Sequence, residues 1–452
     1  MDEVPVGRLI EQVEESLDQE RVDDLRTLLE DVHPSDIAIL VDHLEDDRKA
    51  KLLLLLDDEV AADVLLKVDA ESLDHILTAL STQEMSQLVA QMEPNEATDV
   101  IAELSIDAQK QIISLLPREE AEKVSELLPY DPDTAGGIMN TNFIAVLQDA
   151  TVGEVLEQIR RRLRDSSVSD FFYVTDWESR LVGTFSLRSL VISETQEKVG
   201  EVMDREVVAV SVHDDQEEVA HVVSKYDLVV VPVVDRHSVL KGIVTADDVM
   251  DVLQDEATED IMRMAGTDVT ESPFTSPPKA AMKRLPWLYL NLGTAFIAAL
   301  VVGLFRESIS SVVALAVFMP IIAAMGGNAG TQTLAVVVRS IALGEVTLGD
   351  VRRILLKEMM VGILTGVGIG IISSAIAYVW NGSFLFGMLV GVSLIVNLFM
   401  ACAVGALIPM MLRRFRVDPA LASSVFLITL TDCIGFFVFL GLATLFLEGL
   451  RG

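Results

Sequence analysis

The chain is 452 residues long and 51% hydrophobic, yet it carries a formal net charge of −35, so the two properties must sit in different places. From Glu271 onward there are 12 Lys and Arg against 8 Asp and Glu, which leaves residues 1–270 with 22 basic and 61 acidic side chains, a net of −39. A region that acidic repels phosphate and excludes nucleic acid as a partner, while the two cysteines, in apolar runs, and the scattered histidines exclude a disulfide framework and a zinc site. The acidity fits solubility through charge as well as a sink for cations.

Residues 1–130 read as helix after helix. Leu and Ile recur at three- and four-residue spacing, as at Leu73, Ile76, Leu77 and Leu80. Breaks fall at His33-Pro34-Ser35, Leu56-Asp57-Asp58, Met92-Glu93-Pro94 and Leu116-Pro117, about every 12 residues, which predicts a wound stack of short helices. Ser35 and Ser81 are expected as N-caps. Met1–Glu20 is polar and acidic, so no leader is expected and this half is expected to stay on the side of synthesis.

Residues 140–255 change texture and repeat a β-α-β-β-α unit of about 60 residues. The first unit has Ala145-Val146, a helix near Val155–Leu163, a strand Phe171–Thr175 and Gly183-Thr184-Phe185-Ser186. The second has Val207–Val210, a helix near Glu217–Lys225, a strand Val229–Val234 and Gly242-Ile243-Val244-Thr245. The β-branched runs and the Gly-apolar-apolar-Ser/Thr closures resemble a tandem pair of CBS modules. Residues 256–285 then read as a polar helix and a loop.

From Trp287 the chain is apolar, with candidate spans at about 287–305, 312–338, 358–380, 385–411 and 420–447. Each is long enough for the roughly 20 residues that cross a bilayer core. Lys279, Lys283 and Arg284 precede the first span; Arg339, Arg352, Arg353 and Lys357 lie between the second and third; Arg413, Arg414 and Arg416 lie between the fourth and fifth. The positive-inside rule therefore predicts N-terminus in and C-terminus out.

Asp432 is the most informative residue, because it lies mid-span in Thr429-Leu430-Thr431-Asp432-Cys433-Ile434-Gly435. A carboxylate at bilayer depth costs about 2.5–3.5 kcal/mol on insertion scales, so it faces a cavity or a partner. No basic residue in the spans is placed to pair with it, which favours a cation site over a carboxyl bonded between helices. In the second span, Pro320 and the run Gly326-Gly327-Asn328-Ala329-Gly330-Thr331-Gln332 are expected to loosen the helix and turn neutral oxygens to water; a small-residue packing seam is the alternative. Pro409 similarly frees a carbonyl in the fourth span. Few carboxylates among neutral oxygens suit Mg²⁺, which dehydrates reluctantly. An inward potential favours entry of two charges by about 4.6 kcal/mol per 100 mV. No Gly-rich phosphate loop marks an ATP motor, and no nucleophile–base constellation marks an enzyme.

The order of parts resembles the MgtE magnesium transporters over essentially the whole chain. The specific pieces are Gly326–Gln332, Leu356-Lys357-Glu358, Val417-Asp418-Pro419-Ala420, Asp432 with Gly435, and Asp133-Thr134-Ala135-Gly136-Gly137-Ile138-Met139. The resemblance implies a multi-domain fold: an all-α superhelical domain (1–138), an α/β CBS pair (139–200 and 201–256), a linker or plug helix (257–285) and an all-α five-helix membrane domain (286–452). It implies a homodimer in the bacterial inner membrane, N-terminal domains cytoplasmic, with an ion path on the two-fold axis. Asp432 would be the pore ligand, with Asn328 and Gly327 lining the path and Asp418 near the cytosolic mouth.

The resemblance also implies closure by cytosolic Mg²⁺. The regulatory candidates are Asp215, Asp227, Asp247, Asp248, Asp251, Glu256, Glu259 and Asp260, with Asp63, Asp99 and Gly136 as looser matches; each acid is otherwise a solvated face. A preference of about 5.5 kcal/mol for one state moves a two-state switch from 1:99 to 99:1, and several weak sites supply that together. Some relatives bind ATP in the CBS pair, and Tyr173, Arg188, Thr245 and Asp248 are the candidate contacts. Ser189 replaces an Asp expected on the ribose, and Leu228 stands where an aromatic would stack, so ATP as a cofactor stays open. Ser423-Ser424-Val425 departs from the family's Asn- or Gly-containing, Pro-bearing stretch, which leaves a pore contact there open. The alternatives are a Mn²⁺ or Co²⁺ transporter, disfavoured by oxygen-only pore chemistry, and a membrane-anchored Mg²⁺ or nucleotide sensor that conducts nothing, disfavoured by the cost of Asp432.

Overall fold

The computed structural model describes residues 6–19, 21–162, 171–273, 275–415, 417–418 and 423–446. The chain divides into two compact units, Met1–Asp255 and Glu256–Gly452.

The first unit opens with ten short helices between Val6 and Leu127. Their apolar faces join one continuous core that includes Leu25, Ile37, Leu52, Leu65, Ile76, Met85 and Ile101. Helices two apart in sequence pack on each other, for example Pro34–His43 on Asp58–Leu65 and Thr82–Val89 on Ile106–Leu115, which winds the superhelix expected from the spacing of the breaks. Ser81 caps Thr82–Val89 with a full capping box: its hydroxyl receives the Glu84 amide, and Glu84 in turn receives the Ser81 amide. Ser35 differs from expectation. The N-cap of Pro34–His43 is His33, whose ring Nδ1 accepts the Ser35 amide at 3.2 Å, because Pro34 takes the first helical position and shifts the cap one residue back.

The repeated α/β units form two three-stranded sheets of the same topology. β1 (Ala145–Leu147) runs parallel to β2 (Phe171–Thr175), which runs antiparallel to β3 (Leu181–Ser186); β4 (Val210–Ser211), β5 (Val230–Val234) and β6 (Leu240–Thr245) repeat the order. The closures have a common reason for their glycine. Asp204 bridges Thr184 beside Gly183, and Asn140 bridges Ile243 beside Gly242. A Cβ on Gly183 would lie 2.6 Å from Met203 Sδ, and one on Gly242 2.8 Å from the Met139 side chain. Each module thus needs a bare backbone where a segment from outside it crosses.

The last helix of the second module, Ala246–Ala265, is continuous and runs through the expected linker boundary at 256. Its first turn carries Asp247 and Asp248, and its last carries Arg263.

Among the described residues, five helices are long and apolar enough to cross a membrane: Pro277–Leu304, Ala314–Ala342, Val351–Asn381, Phe384–Arg414 and Ser423–Leu445. The fourth is the hub, with 56% of its most apolar stretch buried against 6% for the first. The third and fourth helices touch backbone to backbone. Gly362, Gly366 and Gly370 recur every four residues on one face, and a Cβ on any of them would lie 2.7–2.9 Å from fourth-helix main chain. The second helix also differs from expectation. It stays helical from Ala314 through Gly326–Thr331 to Ala342, because Gly326 and Gly330 act as a packing seam and do not loosen it. A Cβ on Gly326 would meet Asn397 at 2.5 Å, and one on Gly405 would meet the Gly330 carbonyl at 2.6 Å.

Candidate functional site

In the first unit, carboxylates of the helical stack and of the second CBS module come together. Helix Pro94–Ala102 carries Asn95, Glu96 and Asp99, with Glu93 as its N-cap, and Asp247 and Asp248 begin Ala246–Ala265. Asn95 Nδ2 donates to Asp248 Oδ1 at 3.2 Å, and the Asn140 amide donates to Glu93. The other Asp248 oxygen receives the Thr245 amide at 3.1 Å. The Asn95 carbonyl oxygen is buried and accepts no hydrogen bond among the described residues.

The junction disfavours charge on its carboxylates. Asp99 is exposed at the rim of the junction, where the crowding of protein around its carboxyl and the fields of Glu96, Asp248 and Glu103 push it up to about 7. Loss of hydration likewise raises Glu93, aided by Glu96, Asp248 and Asp247, and raises Glu96, aided by Asp248 and Asp63. Asp248 is raised by the same cause, against the hydrogen bonds from Thr245. Among the described residues no three His, Cys, Asp or Glu converge as a ready metal cage. The arrangement suits a hydrated divalent ion, whose water shell spans carboxylates set apart.

Asp215, Asp227, Gly136 and Asp251 have separate surroundings in the first unit. Asp215 caps Gln216–Tyr226 through the Glu217 amide at 3.0 Å, and Asp227 ends the same helix in the left-handed conformation at φ 51°. Gly136 is buried, its N–H donating to the Val212 carbonyl at 3.0 Å. Asp251 is exposed.

The nucleotide candidates differ in exposure. Tyr173 is 1% exposed, inside a cluster with Leu240 and Ile243, and its hydroxyl has no partner among the described residues. Arg188 is exposed on Leu187–Ile192, and Thr245 and Asp248 bond each other.

In the second unit, Arg263 pairs with both Glu259 and Asp418. Loss of hydration, then Asp418 and Glu256, push Asp260 up to about 6. Asp418 thus joins the end of Ala246–Ala265 to the segment before the fifth membrane helix. Pro419, Ala420 and the Ser423 and Ser424 side chains lie outside the described residues.

Asp432 is half-buried on the fifth helix, and among the described residues it makes no hydrogen bond or ion pair within the protomer. Three residues on, Gly435 backs onto Asn397, which is fully buried and donates to the Ile322 carbonyl at 2.8 Å. Asn397 therefore sits where the second, fourth and fifth helices meet. Gly327 faces open space, whereas Asn328 lines an open cleft of about 730 Å³ between the second, third and fourth helices. Glu93, Asn95, Glu96, Arg263 and Asn397 have no motif that marks them; only the Met92-Glu93-Pro94 break hinted at the first three.

Comparison with known proteins matches residues 319–442 to the family MgtE, divalent cation transporter, 32–133 to the MgtE intracellular N domain, and 135–193 and 199–255 to CBS domains. The magnesium transporter MgtE of Thermus thermophilus is 40% identical over 321 residues, 71% of each chain. That of Enterococcus faecalis is 35% identical over 71% of this chain and 70% of its own. Among solved structures, the cytosolic domain of the Mg²⁺ channel MgtE in complex with ATP is 33% identical, covers 54% of this chain and 99% of its own, and superposes with a TM-score of 0.50.

Proposed function

The chain belongs to the MgtE family of divalent cation transporters, and from that premise we propose that it conducts Mg²⁺ down its electrochemical gradient into the cell as a homodimer. The observation that carries the conduction is Asp432, a carboxylate inside a 23-residue apolar helix with no partner in the protomer among the described residues. Its cost is recovered only if it faces water and an ion. In a dimer two such carboxylates offset a divalent charge without caging it.

The acidic junction supplies the sensor. Glu93, Glu96, Asp99 and Asp248 repel one another when no cation is near. Cytosolic Mg²⁺ between them relieves the repulsion and clamps the helical stack to the start of Ala246–Ala265. The end of that helix holds Asp418 through Arg263, so clamping its start biases the segment leading to the fifth membrane helix. Tyr173 is closed off in the core and offers a nucleotide no ring face, which favours Mg²⁺ as the regulator of the CBS pair.

The test is Mg²⁺ flux into proteoliposomes with an indicator dye, wild type beside Asp432→Ala. Loss of flux in a folded Asp432→Ala dimer, and lower wild-type flux when Mg²⁺ bathes the cytosolic face, support pore and sensor. Undiminished flux in the variant removes Asp432 from the path. No flux through folded wild type favours a receptor that conducts nothing.

A further inference from the structure

Glu358 is a second carboxylate inside a membrane helix, and the mechanism above does not use it. It lies about 10 Å along the third helix from Val351, at roughly 1.5 Å per residue. Its side chain is 95% buried. One oxygen accepts from Thr333 Oγ1 of the second helix at 3.2 Å, and the other pairs with the Lys357 ammonium. Both residues line the cavity of about 730 Å³, together with Asn328, Gln332 and Thr365.

Three features separate this pair from a structural ion pair. Residues at i and i+1 on a helix point about 100° apart, so Lys357 must bend back to reach its neighbour. The Lys357 side chain is 61% exposed, so its ammonium is the replaceable partner. A carboxylate offers about four lone-pair sites, and among the described residues two partners, Thr333 and Lys357, take part of that capacity, which leaves the rest toward the cavity. The space is adequate: six waters at about 30 Å³ each fill about 180 Å³, a fraction of the 730 Å³. Hydroxyl and amide oxygens on the same wall suit an ion that keeps its water.

We propose that this cavity is a second intramembrane site for a hydrated divalent cation, with Glu358 as its carboxylate and Lys357 as a tethered ammonium that holds the site when no ion does. Entry of Mg²⁺ displaces the ammonium toward the cytosolic surface, and departure lets it return, so the buried charge is never left alone. The site rests on the transport reading, and it puts Asn328 beside Glu358 as well as on the expected ion path.

The test compares Mg²⁺ flux through wild type, Asp432→Ala, Glu358→Gln and Lys357→Met. Glu358→Gln keeps the volume and a Thr333 hydrogen bond, and Lys357→Met alters an exposed side chain, so both are expected to fold. Glu358→Gln should lower flux at least about tenfold. Lys357→Met should lower the Mg²⁺ concentration for half-maximal flux several-fold, and that shift should vanish in the double variant. Wild-type flux and half-saturation in Glu358→Gln overturn the site, while loss of flux in Asp432→Ala alone leaves the transport reading standing. If wild type conducts nothing, that reading fails by itself. The site is then read from the Mg²⁺-induced rise in melting temperature in detergent, expected in the order Lys357→Met, wild type, Glu358→Gln; equal rises overturn it. Variants that differ only with lipid headgroup, at unchanged Mg²⁺ dependence, mean a lipid fills the cleft and also overturn it.

Discussion

The two units of this chain handle carboxylates in opposite ways. The first crowds many of them at one junction, where loss of hydration, aided by neighbouring carboxylates, raises Glu93, Glu96, Asp99 and Asp248. The second keeps two in its membrane helices, Asp432 and Glu358, each with its own surroundings. Redundant weak charges suit a graded sensor of an abundant ion, because several small preferences sum to a switch. A scarce buried charge suits a path, because a passing ion offsets its cost.

The sharpest way to break that contrast is at the membrane carboxylates. Asp432→Ala is expected to lower Mg²⁺ flux by about a hundredfold or more, equivalent to about 2.7 kcal/mol at 1.36 kcal/mol per decade; flux within twofold of wild type would erase the distinction.

Next in size is the packing that holds the membrane helices. Gly362→Leu forces a side chain into main chain 2.7 Å away, and overpacking of this kind costs about 1–3 kcal/mol or more. It should lower the melting temperature in detergent, whereas Gly303→Ala, where a Cβ meets nothing within 4 Å, should leave it unchanged or raise it slightly.

The sensor should respond by shifts and not by loss. Asp248→Asn with Asp251→Asn is expected to raise several-fold the cytosolic Mg²⁺ that closes the pore; an unchanged dependence would take these residues out of the gate. A pH series sharpens the same point. Asp99 in the fold is pushed up to about 7, above an unfolded value of about 3.9, so the fold binds the extra proton between those values. Its contribution to stability is therefore present below about 4 and lost as pH rises through about 7. In EDTA the chain should melt lower at pH 8 than at pH 5.5, and Asp99→Asn or added Mg²⁺ should narrow the gap. The smallest expected effect is Ser81→Ala, which removes a capping box at a cost of about 1 kcal/mol, read as a small drop in melting temperature with the Mg²⁺ dependence unmoved.

Local patterns were legible without coordinates. The recurring breaks placed the stack of short helices, the duplicated β-branched runs placed the two modules, and the apolar stretches placed five membrane helices. Asp432 stood out for the same reason: a charge in a run that must lie in lipid announces its cost in one dimension. Only the tertiary structure decided which glycines are contacts, turning Gly326 and Gly330 from an expected loosening into a seam against Asn397 and Leu427. It also decided which acids meet. Glu93 and Asn95 lie some 150 residues from Asp248 and carry no motif, and Lys357 beside Glu358 reads in sequence as a boundary charge. A periodic pattern is a property of neighbours along the chain, whereas a shared field, a steric fit or a cavity wall is a property of residues that only folding makes neighbours.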